Sequence, residues 1–266
     1  MKRFRFALVA ALLSLPVPAF SQSPRTADIV AAQVRPGWQS DTGAHIAGLQ
    51  LRLARDWMTY WRHPGESGLV PRLDWSGSDN VAKARIIWPE PRLYFKSGFA
   101  SIGYSGEVTL PIEVTPERPG EPVDFNAILS VGVCNDICIP VDLSLQMALN
   151  GAGAHDHAIA TALDQRPSAA RAAGLRAVEC TLTPDKKALR LTANMDIPPA
   201  GAREFLLIES PGQPVRALPS ARAGNVLTGH GLIRAASGAG IDRSQIRLSV
   251  ISERGVLTHQ GCAMSD

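Results

Sequence analysis

The sequence predicts an all-β protein made of two β-sandwiches joined by a short helical connection. Short segments that alternate between apolar and polar residues, or run apolar, recur along the chain from residue 45 onward. The chain's 20 prolines and 23 glycines are spread throughout and separate these segments with turns. An alanine-rich stretch at 151–174 interrupts the pattern and divides the chain into two β regions.

The overall composition is that of an ordinary globular protein, with 45% apolar and 19% charged residues. A formal net charge of +3, without a basic run after the N-terminal segment, gives no basis for a nucleic-acid partner. The sequence contains neither a G-x-S-x-G turn nor a glycine-rich phosphate loop. It therefore does not indicate a hydrolase or a phosphate-binding enzyme.

Residues 1–21 have the pattern of a secretory signal peptide. Lys2, Arg3 and Arg5 precede an apolar run at 6–15, and Ala19-Phe20-Ser21 offers a cleavage site after Ser21 or after Ala19. The run is too short to span a bilayer, and we expect no later segment to insert stably in a membrane. The sequence thus predicts a soluble protein of an oxidising compartment, the bacterial periplasm.

Residues 22–150 form the first predicted β domain. Its predicted strands are 45–53, 72–75, 84–88, 107–114, 123–133 and 139–147. The alternation in 45–53 is typical of a half-buried strand, and residues 63–68 are expected to form a turn. Most aromatic side chains of this region are expected to lie in the core.

Residues 151–174 are predicted to be a linker with a short helix over 155–164 that stops before Pro167. A second, smaller β-sandwich is predicted for residues 175–266. Its predicted strands are 178–182, 188–195, 204–209, 226–234 and 246–251.

Cys134 and Cys138 are the residues on which the functional hypothesis depends. Asn135-Asp136 is turn chemistry between two apolar runs, so a tight hairpin would place the two cysteines opposite each other. A disulfide there closes a very small loop and removes little entropy from the unfolded chain, which suits a redox switch better than a structural bond. The alternatives are a small structural disulfide or two buried free thiols. Pro140 lacks a backbone donor, which predicts that the second strand lies at a sheet edge or begins near this residue.

Cys180 and Cys262 are expected to form a structural disulfide, with free thiols as the alternative. Cys180 lies in the first predicted strand of the second sandwich, and Cys262 follows the last. A bond between them would close a long loop and is expected to contribute on the order of 4 kcal/mol to stability in the chain-entropy model.

Residues 94–99 (Tyr-Phe-Lys-Ser-Gly-Phe) have few strand signals and predict a loop. Its rings could form an apolar lid or could pack into the core.

Several motifs together resemble the N-terminal periplasmic domain of the DsbD family, in particular its ScsB-like branch (suppressor of copper sensitivity). The motifs are W-M-T-Y-W-R-H-P-G-E-S-G at 57–68, D-W-S at 74–76, W-P at 88–89, G-Y at 103–104 and V-C-x-x-x-C-I-P at 133–140. The resemblance covers roughly 34–149 and implies an immunoglobulin-like sandwich. It implies that Cys134 and Cys138 are the redox-active, catalytic pair, and it makes Tyr94, Phe95 and Phe99 candidates for an aromatic cap loop over them.

The resemblance also implies thiol–disulfide exchange without a cofactor. A membrane-embedded thiol reductase of the DsbD, ScsB or CcdA kind would donate electrons, and periplasmic thioredoxin-like proteins would accept them. Three departures stand out. The membrane domain and the thioredoxin-like domain are not found in this chain, and the cysteine spacing is C-x-x-x-C instead of a longer gap. We therefore expect a separate membrane partner. Cys138 is favoured as the exchanging sulfur by analogy alone.

Two other functions fit the same residues. One is copper binding or copper tolerance through the cysteines, with His155-Asp156-His157 and Cys262-Ala263-Met264 as further ligands. The other is a non-catalytic interaction module with two structural disulfides. The residues themselves predict no metal site, because a cysteine pair of this kind would need a second pair nearby to hold zinc.

Overall fold

The computed structural model describes residues 25–96, 98–186, 188–234 and 241–262. The predicted signal peptide at 1–21 lies outside these residues. Within them, no helix combines the length and apolar character needed to span a bilayer.

The first part of the chain folds into a β-sandwich, as predicted. Its elements in chain order are α1 (Thr26–Ile29), β1 (Val30–Gln39), β2 (His45–Leu53), β3 (Met58–Gly65), β4 (Arg72–Asp74), β5 (Lys83–Ile86), β6 (Arg92–Lys96), β7 (Phe99–Ser105), β8 (Glu107–Thr115), β9 (Val123–Cys134) and β10 (Cys138–Leu149). One sheet has the order β1-β2-β8-β5 and the other β10-β9-β3-β7-β6, with β4 paired to β9. Alternate residues of β9 point into the core, and Phe125, Leu129 and Val133 are fully buried there.

Helix α2 (His157–Asp164) follows, close to the predicted bounds. The Asp156 carboxylate caps it by accepting hydrogen bonds from the backbone N–H groups of Ala158 and Ile159. Ile159 is fully buried and packs against Gly48 of β2. Strand β2 is therefore buried along nearly its whole length, and the expectation of a half-buried strand is wrong because α2 covers its second face.

The second part of the chain forms a smaller sandwich, also as predicted. Its strands are β11 (Ser168–Ala169), β12 (Ala177–Asp185), β13 (Ala188–Asp196), β14 (Glu204–Glu209), β15 (Val215–Ala223), β16 (Val226–Ile233), β17 (Arg247–Ser252) and β18 (Gly255–Gln260). They form sheets in the orders β11-β18-β17-β14 and β12-β13-β16-β15. The sequence did not indicate β15, which contains Pro219 at a shift in strand register.

Four strands of the first sandwich, β1, β3, β6 and β7, lie where no strand was predicted. The expected turn at 63–68 begins later, because β3 continues to Gly65, with a shift in its register to β7 after Tyr60. Such irregularities tolerate a proline and redirect a strand. The expected loop at 94–99 is instead the end of a hairpin formed by β6 and β7.

The two sandwiches share a continuous apolar contact. Phe205, Leu207 and Ala217 of the second sandwich belong to the buried cluster that forms the core of the first, as do Ile251 and Val256. The second sandwich therefore packs directly against the first.

Candidate functional site

The cysteine pair lies at the end of the β9–β10 hairpin. Cys134 and Cys138 are direct partners across the two strands, their Cα atoms are 4.1 Å apart, and they form a disulfide. The backbone N–H of Asn135 donates a hydrogen bond of 2.9 Å to the carbonyl of Ile137, which closes the turn. The predicted hairpin is confirmed, and β10 is an edge strand, as Pro140 indicated.

The two sulfurs have different surroundings. Val131 and Val133 point into the core, so Cys134 lies on the outer face of the sheet. Cys134 is nevertheless only 3% exposed, whereas Cys138 is exposed. A reagent in solution can therefore reach the sulfur of Cys138 more readily than that of Cys134.

Tyr60 places a polar side chain beside Cys138. Its hydroxyl lies 3.6 Å from the Cys138 Sγ. Burial raises the pKa of Tyr60, which keeps the hydroxyl protonated and able to donate a hydrogen bond to sulfur. Met58 precedes it on the same face of β3 and is the register partner of Cys134. The sequence suggested that Tyr60, like most aromatic residues of this region, lies in the core, and it carried no signal that Tyr60 lies beside Cys138.

A loop at residues 66–71, called here the cover loop, lies on the outer face beside the disulfide. Strand β3 pairs with β9 only at Met58 and Thr59, and the chain returns to β9 as β4 after this loop. Leu69 packs on Gly132: a Cβ atom built on Gly132 would be 3.0–3.3 Å from the Leu69 side chain. Leu69 is 42% exposed, and Ile137 of the hairpin turn is 56% exposed. The outer face of the hairpin therefore has an exposed apolar side chain packed on Gly132, two residues before Cys134, which the sequence did not indicate.

The predicted cap residues lie on the β6–β7 hairpin. In the sheet order, β7 is next to β3 on the side away from β9, and β6 follows β7. Phe95 and Phe99 are 48% and 54% exposed, and the Tyr94 hydroxyl donates a hydrogen bond of 3.0 Å to the Ser105 hydroxyl. The guanidinium carbon of Arg203, from the second sandwich, lies 5.4 Å from the centre of the Phe95 ring. That these rings cap the cysteine pair stays a prediction.

Cys180 and Cys262 form the second disulfide. Their Cα atoms are 5.8 Å apart, and their sequence separation is 82. Their exposed fractions are 0% and 5%. Both sulfurs are thus shielded inside the second sandwich, in contrast to Cys138.

Of the residues suggested as copper ligands, His155 and Asp156 make other contacts. The ring of His155 stacks on Trp38, with centroids 4.9 Å apart, and Asp156 pairs with Arg35 at 2.8 Å. In the described part of the chain, no group of three or more histidine, cysteine or acidic side chains is arranged to hold a metal ion. Met264 lies outside the described residues.

Residues 26–149 match the family model of the N-terminal domain of the thiol:disulfide interchange protein DsbD. This match supports a thiol:disulfide interchange module, with the cysteine pair at the end of an edge hairpin.

Solved structures give one informative match. The N-terminal periplasmic domain of ScsB from Proteus mirabilis is 23% identical, with a TM-score of 0.62 over 89% of this chain and 93% of that chain. Because the match extends over most of both chains, the two-sandwich fold is common to them. The reduced N-terminal domain of DsbD from Neisseria meningitidis is 17% identical, with a TM-score of 0.32 over 51% of this chain and 96% of that one, too low to support a structural conclusion. No curated protein matches the sequence significantly.

Proposed function

We propose that this protein passes reducing equivalents by thiol–disulfide exchange at Cys134 and Cys138 in the periplasm. The observation that carries the proposal is the pairing of one exposed with one buried cysteine, in a segment that matches the DsbD N-terminal family model. Such an arrangement separates the sulfur that meets a partner from the sulfur that completes the reaction.

The proposed reaction begins with the reduced pair. The Cys138 thiolate attacks a partner disulfide, so that a sulfur–sulfur bond forms between Cys138 and the partner while the partner's own bond breaks and releases a thiolate. Cys134 then attacks the Cys138 Sγ, which breaks the mixed disulfide and forms the Cys134–Cys138 bond. The partner leaves with two thiols, having gained two electrons and two protons. A membrane-embedded thiol reductase would return the pair to the dithiol by the reverse sequence.

Tyr60 supports Cys138 in the role of the attacking sulfur. A protonated hydroxyl at 3.6 Å can donate a hydrogen bond to the thiolate and stabilise it when the disulfide opens. Cys134 has a buried position that suits the resolving role. Tyr94, Phe95 and Phe99 would restrict access from the neighbouring hairpin.

The remaining roles belong to the same proposal. Residues 1–21 would direct export, 22–150 would form the redox domain, 151–174 would link it to a second domain at 175–266, and Cys180–Cys262 would stabilise that second domain. Periplasmic thioredoxin-like proteins would be the acceptors. The periplasmic origin of the similar ScsB domain agrees with this location.

Trapping of mixed disulfides tests the proposal. Cys134→Ala retains the attacking sulfur and lacks the resolving one, so it should accumulate mixed disulfides that non-reducing gels and mass spectrometry can identify. Cys138→Ala should accumulate few. The wild-type protein is the matched control: it keeps both cysteines, so it should resolve the mixed disulfide and accumulate none. Equal trapping by the two single variants, or none by either, would refute the assignment.

A further inference from the structure

Strand β3 connects the disulfide to the second sandwich. Its first half carries Met58 and Tyr60, which lie beside the two cysteines. Its second half carries Arg62 and His63, which face the second sandwich. The register shift after Tyr60 marks the point where the strand changes neighbours.

The strongest polar contact between the sandwiches is an ion pair between Arg62 and Glu209. Two parallel hydrogen bonds of 2.8 Å join the guanidinium to the carboxylate, and the two side chains are 18% and 17% exposed. The same guanidinium lies 3.5 Å above the ring of Trp61, which is fully buried. Two parallel hydrogen bonds fix the relative orientation of the guanidinium and the carboxylate. Because the pair is largely shielded from water, loss of one partner leaves the charge of the other poorly solvated.

His63 adds a second contact to the same segment. Its Nε2 lies 3.0 Å from the carbonyl oxygen of Val215, and its Nδ1 accepts a hydrogen bond of 3.1 Å from the backbone N–H of Gly65. The second sandwich thus holds β3 up to the residue at which the cover loop begins.

The cover loop is fixed at that end by a short series of contacts. The backbone N–H of Glu66 donates to the carbonyl of Ala100 at 2.9 Å, and the N–H of Ala100 donates to the Glu66 carboxylate at 2.7 Å. Gly68 then lies against the ring of Tyr60, since a Cβ atom built on it would come within 2.5 Å of that ring. Leu69 follows on Gly132, two residues before Cys134. A displacement of Arg62 or His63 would therefore change the position of the loop against Gly132 and against Tyr60, whose hydroxyl contacts the Cys138 Sγ.

We propose that Arg62 and Glu209 are positioning residues for the exchange reaction: their ion pair lets the second sandwich hold the cover loop in place and limits access to Cys138. The inference rests on the proposed function for its biological role. The access of a small reagent to Cys138 can be measured without any partner protein.

The test is the rate at which iodoacetamide alkylates Cys138 in the reduced full-length protein. The Cys138 thiolate displaces iodide and forms a carbon–sulfur bond, and peptide mapping by mass spectrometry identifies the modified residue. Glu209→Gln keeps the shape of the side chain and removes its charge. It should raise the alkylation rate about fivefold, which is the size of effect that corresponds to the usual coupling energy between two residues in contact. Arg62→Lys keeps the charge but loses the fork geometry, so it is the milder change. It should also raise the alkylation rate, and it replaces Glu209→Gln in the test if that variant does not fold.

Arg222→Gln is the matched control. Arg222 pairs with Glu204 within the second sandwich, and these side chains are 18% and 5% exposed. The variant should lower the midpoint of urea unfolding and leave the alkylation rate within about twofold of the wild-type rate. Equal acceleration by Arg222→Gln and Glu209→Gln would overturn the inference, because general loosening of the second sandwich would then explain both.

A double-mutant cycle with Leu69→Ala distinguishes positioning from a structural role. Leu69→Ala removes the contact of the loop with Gly132 and should itself accelerate alkylation. In that background, Glu209→Gln should add less than about twofold, because both changes act through the same loop. Full additivity would overturn the inference. If Cys134→Ala traps no partner, the proposed function fails, and the alkylation results still decide the role of Arg62 and Glu209.

Discussion

Replacement of Cys180 and Cys262 by alanine should destabilise the protein more than replacement of Cys134 and Cys138. The two disulfides close loops of very different size, with sequence separations of 82 and 4. In the chain-entropy model, these separations correspond to about 4.5 and about 2 kcal/mol at 25 °C. The expected difference in unfolding free energy is therefore about 2.5 kcal/mol.

Burial of the sulfurs acts in the same direction. Cys180 and Cys262 are 0% and 5% exposed, so their truncation leaves unfilled space in the second core. At the other disulfide, Cys134 is buried but Cys138 is exposed, so only one of the two truncations leaves unfilled space.

Urea unfolding followed by far-UV circular dichroism measures this difference, because both sandwiches contribute β signal. Tryptophan fluorescence alone is unsuitable: the five tryptophans, at 38, 57, 61, 75 and 88, are all in the first sandwich. The wild-type protein and the two double-alanine variants form the matched set. An equal loss of stability in both variants, or a larger loss without Cys134 and Cys138, would refute the division between an exchanging and a structural disulfide.

Three further changes test the packing around the site. Burial raises the pKa of Glu90 above its ordinary value of 4.5, so its protonated form favours the folded state. That contribution is lost as pH rises through the raised pKa; Glu90→Gln should therefore be more stable than wild type at pH 7 but not at pH 4, measured by thermal unfolding. Burial lowers the pKa of His63 below 6.5, so the folded state should lose stability as pH falls from 6.5 through the lowered pKa. His63→Gln should remove this pH dependence of stability. A variant with the same pH profile as the wild-type protein would contradict the prediction. Gly103→Ala should cost about 1–3 kcal/mol in urea unfolding, since its Cβ would lie within 2.0 Å of the Thr59 carbonyl oxygen, and a wild-type midpoint would refute this steric conflict.

Much of the fold could be predicted from local pattern. The strands at His45–Leu53 and Glu204–Glu209 have the predicted bounds, because apolar patterning and flanking turn residues mark where an extended segment begins and ends. Strand β15 was missed because Pro219 is an unfavourable strand residue that a shift in register accommodates. The hairpin of β6 and β7 was predicted as a loop because its exposed rings, Phe95 and Phe99, have no apolar alternation with their neighbours.

In the candidate site too, local features could be predicted from the sequence and long-range contacts could not. The opposition of Cys134 and Cys138 could be predicted, because a short turn between two strands fixes which residues pair. Tyr60 and Leu69 could not be assigned to the site, because they approach the sulfurs and Gly132 across 60–80 positions of chain.

The amino-acid order alone determined the elements that depend on neighbouring residues: the alternating strands, the capped helix and the hairpin that carries the disulfide. Tertiary structure decided which sulfur is exposed, what lies over the other one, and that Arg62 reaches Glu209 of the second sandwich. The physical reason is that burial and ion pairing depend on distances between residues far apart in sequence, and local propensities carry no information about those distances.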